Sequence, residues 1–224
     1  MRILLVHPPV LNDTPQPPLG LAYIASYLDS TGNYDIRLLD SGHLPPNSFL
    51  DVLRDEIKEF NPKIVGVSFL TPQYEIAMEC FEITKSLKPG ISTVAGGVHT
   101  SALPIEVLNR QSVDFAVIGE GELTMAELVE AIETNKTTFE QIKGLSFKKN
   151  GEIVINPARE LIQDLDTLPM PFWKDLTKNK YTDLSFRYAD KASTEPKCYE
   201  IRYFPVLTSR GCPNRCNFCA GTTS

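Results

Sequence analysis

A doubly wound α/β domain is the fold class this sequence predicts. Short Val- and Ile-rich runs recur with helical-period segments between them, the pattern of a parallel sheet with crossover helices. The runs show little alternation, as expected where both sheet faces are covered. Five such strands and five helices fit into about 135 residues, the flavodoxin-like count.

The strands are expected at Arg2 to Val6, Asp35 to Leu39, Ile64 to Ser68, Ser92 to Ala95 and Asp114 to Ile118. Between them, Leu19 to Leu28, Phe49 to Phe60, Tyr74 to Leu87, Ala102 to Leu108 and Leu123 to Glu133 carry apolar residues at helical spacing. After Thr134 the character changes. Leu145 to Phe147 and Glu152 to Ile155 flank Asn150-Gly151, a strong short-range hairpin signal. Residues 156–205 hold five prolines with little periodicity and read as a segment crossing a surface. A new apolar run, Phe204 to Leu207, reads as a strand leading into a cysteine cluster. The expected division is a domain over 1–140, a hairpin and linker over 141–203, and over 204–224 the truncated start of a further domain.

The 224 residues leave room for one full domain of about 150 residues and part of another. A 42% hydrophobic and 22% charged composition excludes disordered and fibrous classes. The net charge of −6, with no basic patch, argues against a nucleic-acid or anionic-membrane partner. The longest apolar runs, such as Ile64 to Leu70, fall far short of the roughly 20 residues a bilayer span needs. The opening Met-Arg-Ile-Leu-Leu-Val-His-Pro-Pro is too short in apolar core for a signal peptide, which places the protein in the cytoplasm. The five cysteines are odd in number and three of them crowd together, so a reducing compartment and a metal role fit better than disulfides.

The cluster reads Cys212-Pro-Asn-Arg-Cys216-Asn-Phe218-Cys219. Three thiolates on one short loop can converge on one iron-sulfur cube and leave the fourth iron without a protein ligand. The alternative is a structural zinc, which wants four closed ligands; no histidine follows His99, so Cys198 would have to be the fourth. The full stretch, Thr208-Ser209-Arg210-Gly211 followed by the cysteines with Phe218 before the third, resembles the opening loop of radical S-adenosylmethionine (SAM) enzymes. That resemblance implies that Cys212, Cys216 and Cys219 hold a 4Fe-4S cluster. SAM would chelate its open iron and be cleaved there to a 5'-deoxyadenosyl radical. It further implies anaerobic chemistry on a small-molecule substrate and an electron donor such as flavodoxin or ferredoxin.

The doubly wound region resembles the cobalamin-binding domain that precedes the barrel in one large subgroup of these enzymes, the anaerobic magnesium-protoporphyrin monomethyl ester cyclase-like group. In open α/β sheets ligands sit at the carboxyl ends of the strands. There stand His7-Pro8-Pro9, Ser68-Phe69-Leu70-Thr71, Gly96-Gly97-Val98-His99 and Gly119-Glu120-Gly121-Glu122. Ser68-x-Leu70 and Gly96-Gly97 look like two of the three elements of the cobalamin signature, in which a serine hydrogen-bonds the dimethylbenzimidazole tail and glycines let it pass the backbone. The third, DxHxxG, is absent, which implies a cobalt without a histidine ligand.

The site residues implied are His7, Ser68, Leu70, Thr71, Gly96, Gly97, Gly119, Glu120, Gly121 and Phe218 for the organic cofactors, with no catalytic residue assigned. Plainer roles stand beside these. Gly96-Gly97 can serve a tight turn, Ser68 can close a strand end, and Glu120 and Glu122 can complement a helix macrodipole. His7 can be a satisfied strand-end residue, and Cys80 sits on an apolar helix face and reads as core. The function implied is that of a cobalamin-dependent radical SAM enzyme carrying out methyl transfer, cyclisation or rearrangement. The alternative is a non-catalytic flavodoxin-like module binding a corrinoid or nucleotide, with a zinc loop.

Overall fold

A computed structural model of the protein describes residues 1–9, 17–41, 44, 48–176 and 205–212. The chain runs β1 (Arg2–His7), α1 (Leu19–Thr31), β2 (Asp35–Asp40), α2 (Phe49–Phe60), β3 (Ile64–Ser68), a 3-10 turn (Thr71–Gln73), α3 (Tyr74–Leu87) and β4 (Ser92–Gly96). It continues through α4 (Val98–Ala102), α5 (Pro104–Leu108), β5 (Phe115–Val117), α6 (Glu122–Glu133), β6 (Leu145–Lys149) and β7 (Glu152–Ile155). All seven strands among the described residues join one sheet in the order β2-β1-β3-β4-β5-β6-β7. The first five pair in parallel in the flavodoxin-like order. The β6–β7 hairpin then adds antiparallel to β5 and extends the sheet instead of standing apart. Asn150 and Gly151 both take positive φ at its turn, 53° and 86°, as a two-residue hairpin requires.

Period-2 alternation on β1 divides the core. Ile3 and Leu5 face one layer with α1 and α6, while Leu4 and Val6 face the other with α2, α3 and α5. On α2, Phe49, Leu53, Ile57 and Phe60 are buried, one stripe at helical spacing. Each contributes about 1.5–3 kcal/mol on burial. Asn61 ends that helix in the left-handed region at φ 50°, with its N–H returned to Ile57 O at 3.1 Å. Cys80 is fully buried on α3, and burial pushes its thiol pKa up, so it is inert core.

The helix expected over Ala102 to Leu108 begins only at Pro104, and a separate short helix, α4, precedes it and ends at Ala102, with the break at Leu103. A residue before proline is pushed out of the helical region, and Leu103 sits at φ −133°, ψ 54°, while Pro104 opens the next helix. Within residues 156–176, Met170 and Phe172 lie on α1. Ser26 donates to Met170 O at 2.5 Å, Phe172 N–H to Ala22 O at 3.0 Å, and Leu38 N–H on edge strand β2 to Asp175 Oδ2 at 3.0 Å. Residues 205–207, read from sequence as a strand, pair with none of the described strands. An extended run becomes a strand only beside a partner that takes its backbone hydrogen bonds. No helix among the described residues is long and apolar enough to cross a membrane.

Candidate functional site

The carboxyl ends of β3, β4 and β5 meet the amino ends of α1 and α6 around a cavity of about 270 Å³. Glycines make the room. At Gly97, φ is +92° and an added Cβ would lie 2.6 Å from Phe69 O, 2.8 Å from Phe69 N and 2.9 Å from Ser68 Oγ. The turn after β4 therefore packs directly on the end of β3. A Cβ on Gly96 would meet nothing within 4 Å, so Gly96 is a wall of the cavity with open space before it. Gly121 lets α6 start against α1, since a Cβ there would lie 2.8 Å from Ile24 Cδ1. Gly66, inside β3, leaves room for Leu5, since a Cβ there would lie 3.0 Å from Leu5 Cδ2. The short helix α4 pins both glycine turns: Thr100 Oγ1 donates to Gly96 O at 3.0 Å, and Ser101 Oγ accepts from Gly119 N–H at 3.0 Å.

Ser68, Gly96, Gly97, Gly119, Glu120 and Gly121, all read from sequence as binding residues, line this one cavity. Leu70, Thr71 and His7 do not. Leu70 is 45% exposed on the same edge, as Val98 is at 67%. Thr71 is committed to His99, Oγ1 to Nδ1 at 3.1 Å, and the buried His99 ring packs on Phe69 and Tyr74 with its Nε2 unpartnered. His7 is held by Asp40, Nδ1 to Oδ1 at 2.9 Å. Gln73 braces that corner, donating to Pro8 O at 2.5 Å and accepting from Leu70 N–H at 2.8 Å. His7 is thus a satisfied strand-end residue, displaced from the cavity because the β2 carboxylate lies opposite it in register.

Gly66, Ile24, Met125, Leu207 and Arg210, which carry no binding signal in the sequence, also line it. Glu122, read as a macrodipole partner, does open α6. It is also buried, 3% exposed, with Arg210 Nη2 at 2.6 Å from its Oε1. Arg210 Nη1 lies 3.3 Å from Glu120 Oε1, and Glu120 Oε2 accepts from Ile162 N–H at 2.6 Å. Burial opposes the Arg210 charge, but its hydrogen bonds to Glu122 and Glu120 outweigh this and raise its pKa above the ordinary value. Cys212, two residues on, is an exposed free thiol. Cys216, Phe218 and Cys219 lie outside the described residues.

The model of the B12 binding domain matches residues 13–129. An uncharacterized methyltransferase of Pyrococcus horikoshii is 36% identical over 99% of this chain and 46% of its own length. The anaerobic magnesium-protoporphyrin IX monomethyl ester cyclase of Rubrivivax gelatinosus is 31% identical over 98% of this chain and 38% of its own. The chain thus spans less than half the length of either relative. Among solved structures, the radical S-adenosylmethionine methyltransferase TsrM of Kitasatospora setae, with cobalamin and a [4Fe-4S] cluster bound, superposes with a TM-score of 0.63. At 24% identity over 70% of this chain and 31% of that one, this is a likeness of fold.

Proposed function

The chain belongs to the B12-binding domain family, and from that premise we propose that it is the cobalamin-holding part of a radical SAM enzyme of the methyltransferase or cyclase type. The observation that carries the reading is the glycine-walled cavity at the sheet's carboxyl edge, reached by Arg210 two residues ahead of Cys212. Its fit to cobalamin follows from size and lining. Whole-ligand pockets run from about 300 Å³ upward. A cavity of about 270 Å³ suits a flat two-ring base and part of its sugar, not a corrin. The tail would enter past Gly96 and Gly119, with Ser68 at its rim as hydrogen-bond partner. The corrin would lie over the mouth, where Leu70 and Val98 expose apolar surface on the same edge.

Cys212, Cys216 and Cys219 would hold the cluster as thiolates, with Phe218, next to Cys219 in sequence, contributing to cofactor binding. When bound, cobalamin would supply a carrier for a methyl group and the cluster the electron that cleaves SAM. A small-molecule substrate, a reducing cytoplasm and a flavodoxin- or ferredoxin-like donor complete the proposal. The experiment is titration of the chain with hydroxocobalamin, with iron and sulfide counted after anaerobic reconstitution. The expected result is one corrinoid per chain and a brown, dithionite-bleached iron-sulfur chromophore. No corrinoid binding would remove the first half, and one zinc in place of iron the second.

A further inference from the structure

We propose that Arg210 is a positioning residue that couples filling of the cavity at the sheet's carboxyl edge to the placement of Cys212. The inference rests on the corrinoid reading of that cavity. Its basis is a contact between segments 88 and 90 residues apart: Arg210 Nη2 on Glu122 Oε1 at 2.6 Å and Nη1 on Glu120 Oε1 at 3.3 Å. The guanidinium also lies 5.3 Å from the Tyr23 ring centroid on α1. Glu122 is nearly inaccessible at 3% exposure, so its carboxylate depends on Arg210 for a countercharge. Arg210 and Leu207 are themselves cavity wall, on the opposite side from Ser68 and Gly96 in sequence but in the same enclosure. Backbone reach does the rest. Two residues extend at most about 7 Å, so fixing the Arg210 backbone confines the Cys212 Cα to within that distance of the Arg210 Cα.

The network has one place left. Glu122 Oε2 is buried and has no hydrogen-bond partner among the described residues. An acceptor in that state is satisfied when the occupant of the cavity offers it a hydroxyl or amide N–H donor. Such an occupant touches Glu122 directly and packs on Leu207 and Arg210, contacts it loses if residues 205–212 swing away. Coupling of this kind is reciprocal. The factor by which the ligand favours the docked segment is the factor by which the docked segment favours the ligand, typically about 5–150-fold.

The test is backbone hydrogen exchange, read by mass spectrometry over residues 205–212 and over β1 and β3. The full chain is compared with its Arg210→Ala, Arg210→Lys and Glu122→Gln forms, each with and without hydroxocobalamin. In the parent chain, saturation should slow exchange of 205–212 about fivefold or more. Arg210→Ala should abolish that slowing and weaken hydroxocobalamin binding by a matching factor, with β1 and β3 unchanged. Arg210→Lys and Glu122→Gln should retain part of it, and they carry the test if Arg210→Ala opens β1 and β3. A merely structural fastener would behave differently. Arg210→Ala would then speed exchange of 205–212 equally with and without ligand and leave affinity untouched, which would overturn the proposal. Binding by the parent chain with no slowing at 205–212 would defeat this proposal alone, whereas no binding at all would defeat the cavity reading and this inference with it.

Discussion

Gly97→Ala should be the most costly single-methyl change at this edge, and the structure supplies the magnitude. Gly97 sits at φ 92°, ψ −178°, a region open essentially to glycine alone, where a side chain costs about 1–3 kcal/mol. The new Cβ would also fall 2.6 Å and 2.8 Å from backbone atoms of Phe69, which cannot rotate away as a side chain could. Parting the ends of β3 and β4 adds about 1–3 kcal/mol of overpacking. The sum, roughly 2–6 kcal/mol, is a large share of a typical domain's stability. It should lower the melting temperature of the unliganded chain by roughly 5–20 °C. Gly96→Ala is the matched control. Its Cβ meets nothing within 4 Å, so stability should change by no more than about 0.5 kcal/mol, while the methyl intrudes on the cavity and weakens corrinoid binding. Urea unfolding followed by circular dichroism, with hydroxocobalamin titration of each variant, reads both effects. Gly97→Ala unfolding within about 1 kcal/mol of the parent would refute the backbone argument, as would Gly96→Ala proving the destabilising member of the pair.

Three further outcomes are expected. Alanine at Cys212, Cys216 or Cys219 should each collapse iron and sulfide content after reconstitution, whereas Cys80→Ala should cost only packing and Cys198→Ala should keep the metal; equal loss at Cys198 would indicate a four-ligand site. Bound cobalt(II) cobalamin should show no imidazole superhyperfine splitting by electron paramagnetic resonance, because the sequence has no DxHxxG motif and, of the described histidines, His7 is held by Asp40 and His99 is buried against Phe69 and Tyr74. Burial, then the neighbouring Glu133, raises the Tyr34 phenol pKa above 10.0. The folded state therefore keeps that proton longer than the unfolded one, and the stabilisation is present below pH 10.0 and lost as pH rises through the folded value. Tyr34→Phe should flatten that alkaline decline in urea midpoints, and an unchanged slope would assign it to other groups.

Local pattern determined much of this protein before any coordinates. The five parallel strands lie within a residue or so of their expected places because Val- and Ile-rich runs bounded by turn residues have few other ways to be buried. Asn150-Gly151 announced its hairpin because two consecutive positive-φ residues leave little choice of turn. The glycine pairs at strand ends were legible as a ligand edge because topology alone puts carboxyl ends together in a parallel sheet. The split at Leu103 was also written in the sequence, in the proline that follows it.

What only the tertiary structure decided are relations between distant segments. That the hairpin would add to β5 and lengthen the sheet is a matter of which edge is free, and no local window contains it. Leu70, Thr71 and His7 stand on the right edge yet miss the cavity, because His99 of α4 claims Thr71, Asp40 of β2 claims His7, and Leu70 is exposed to solvent. Glu122 read as a helix-start acid and is one, but its burial under Arg210 depends on a chain return across 88 residues. Periodicity reports which face of an element avoids water. It carries no record of which charge will meet which across the fold, since that choice is made by three-dimensional proximity after the elements have packed.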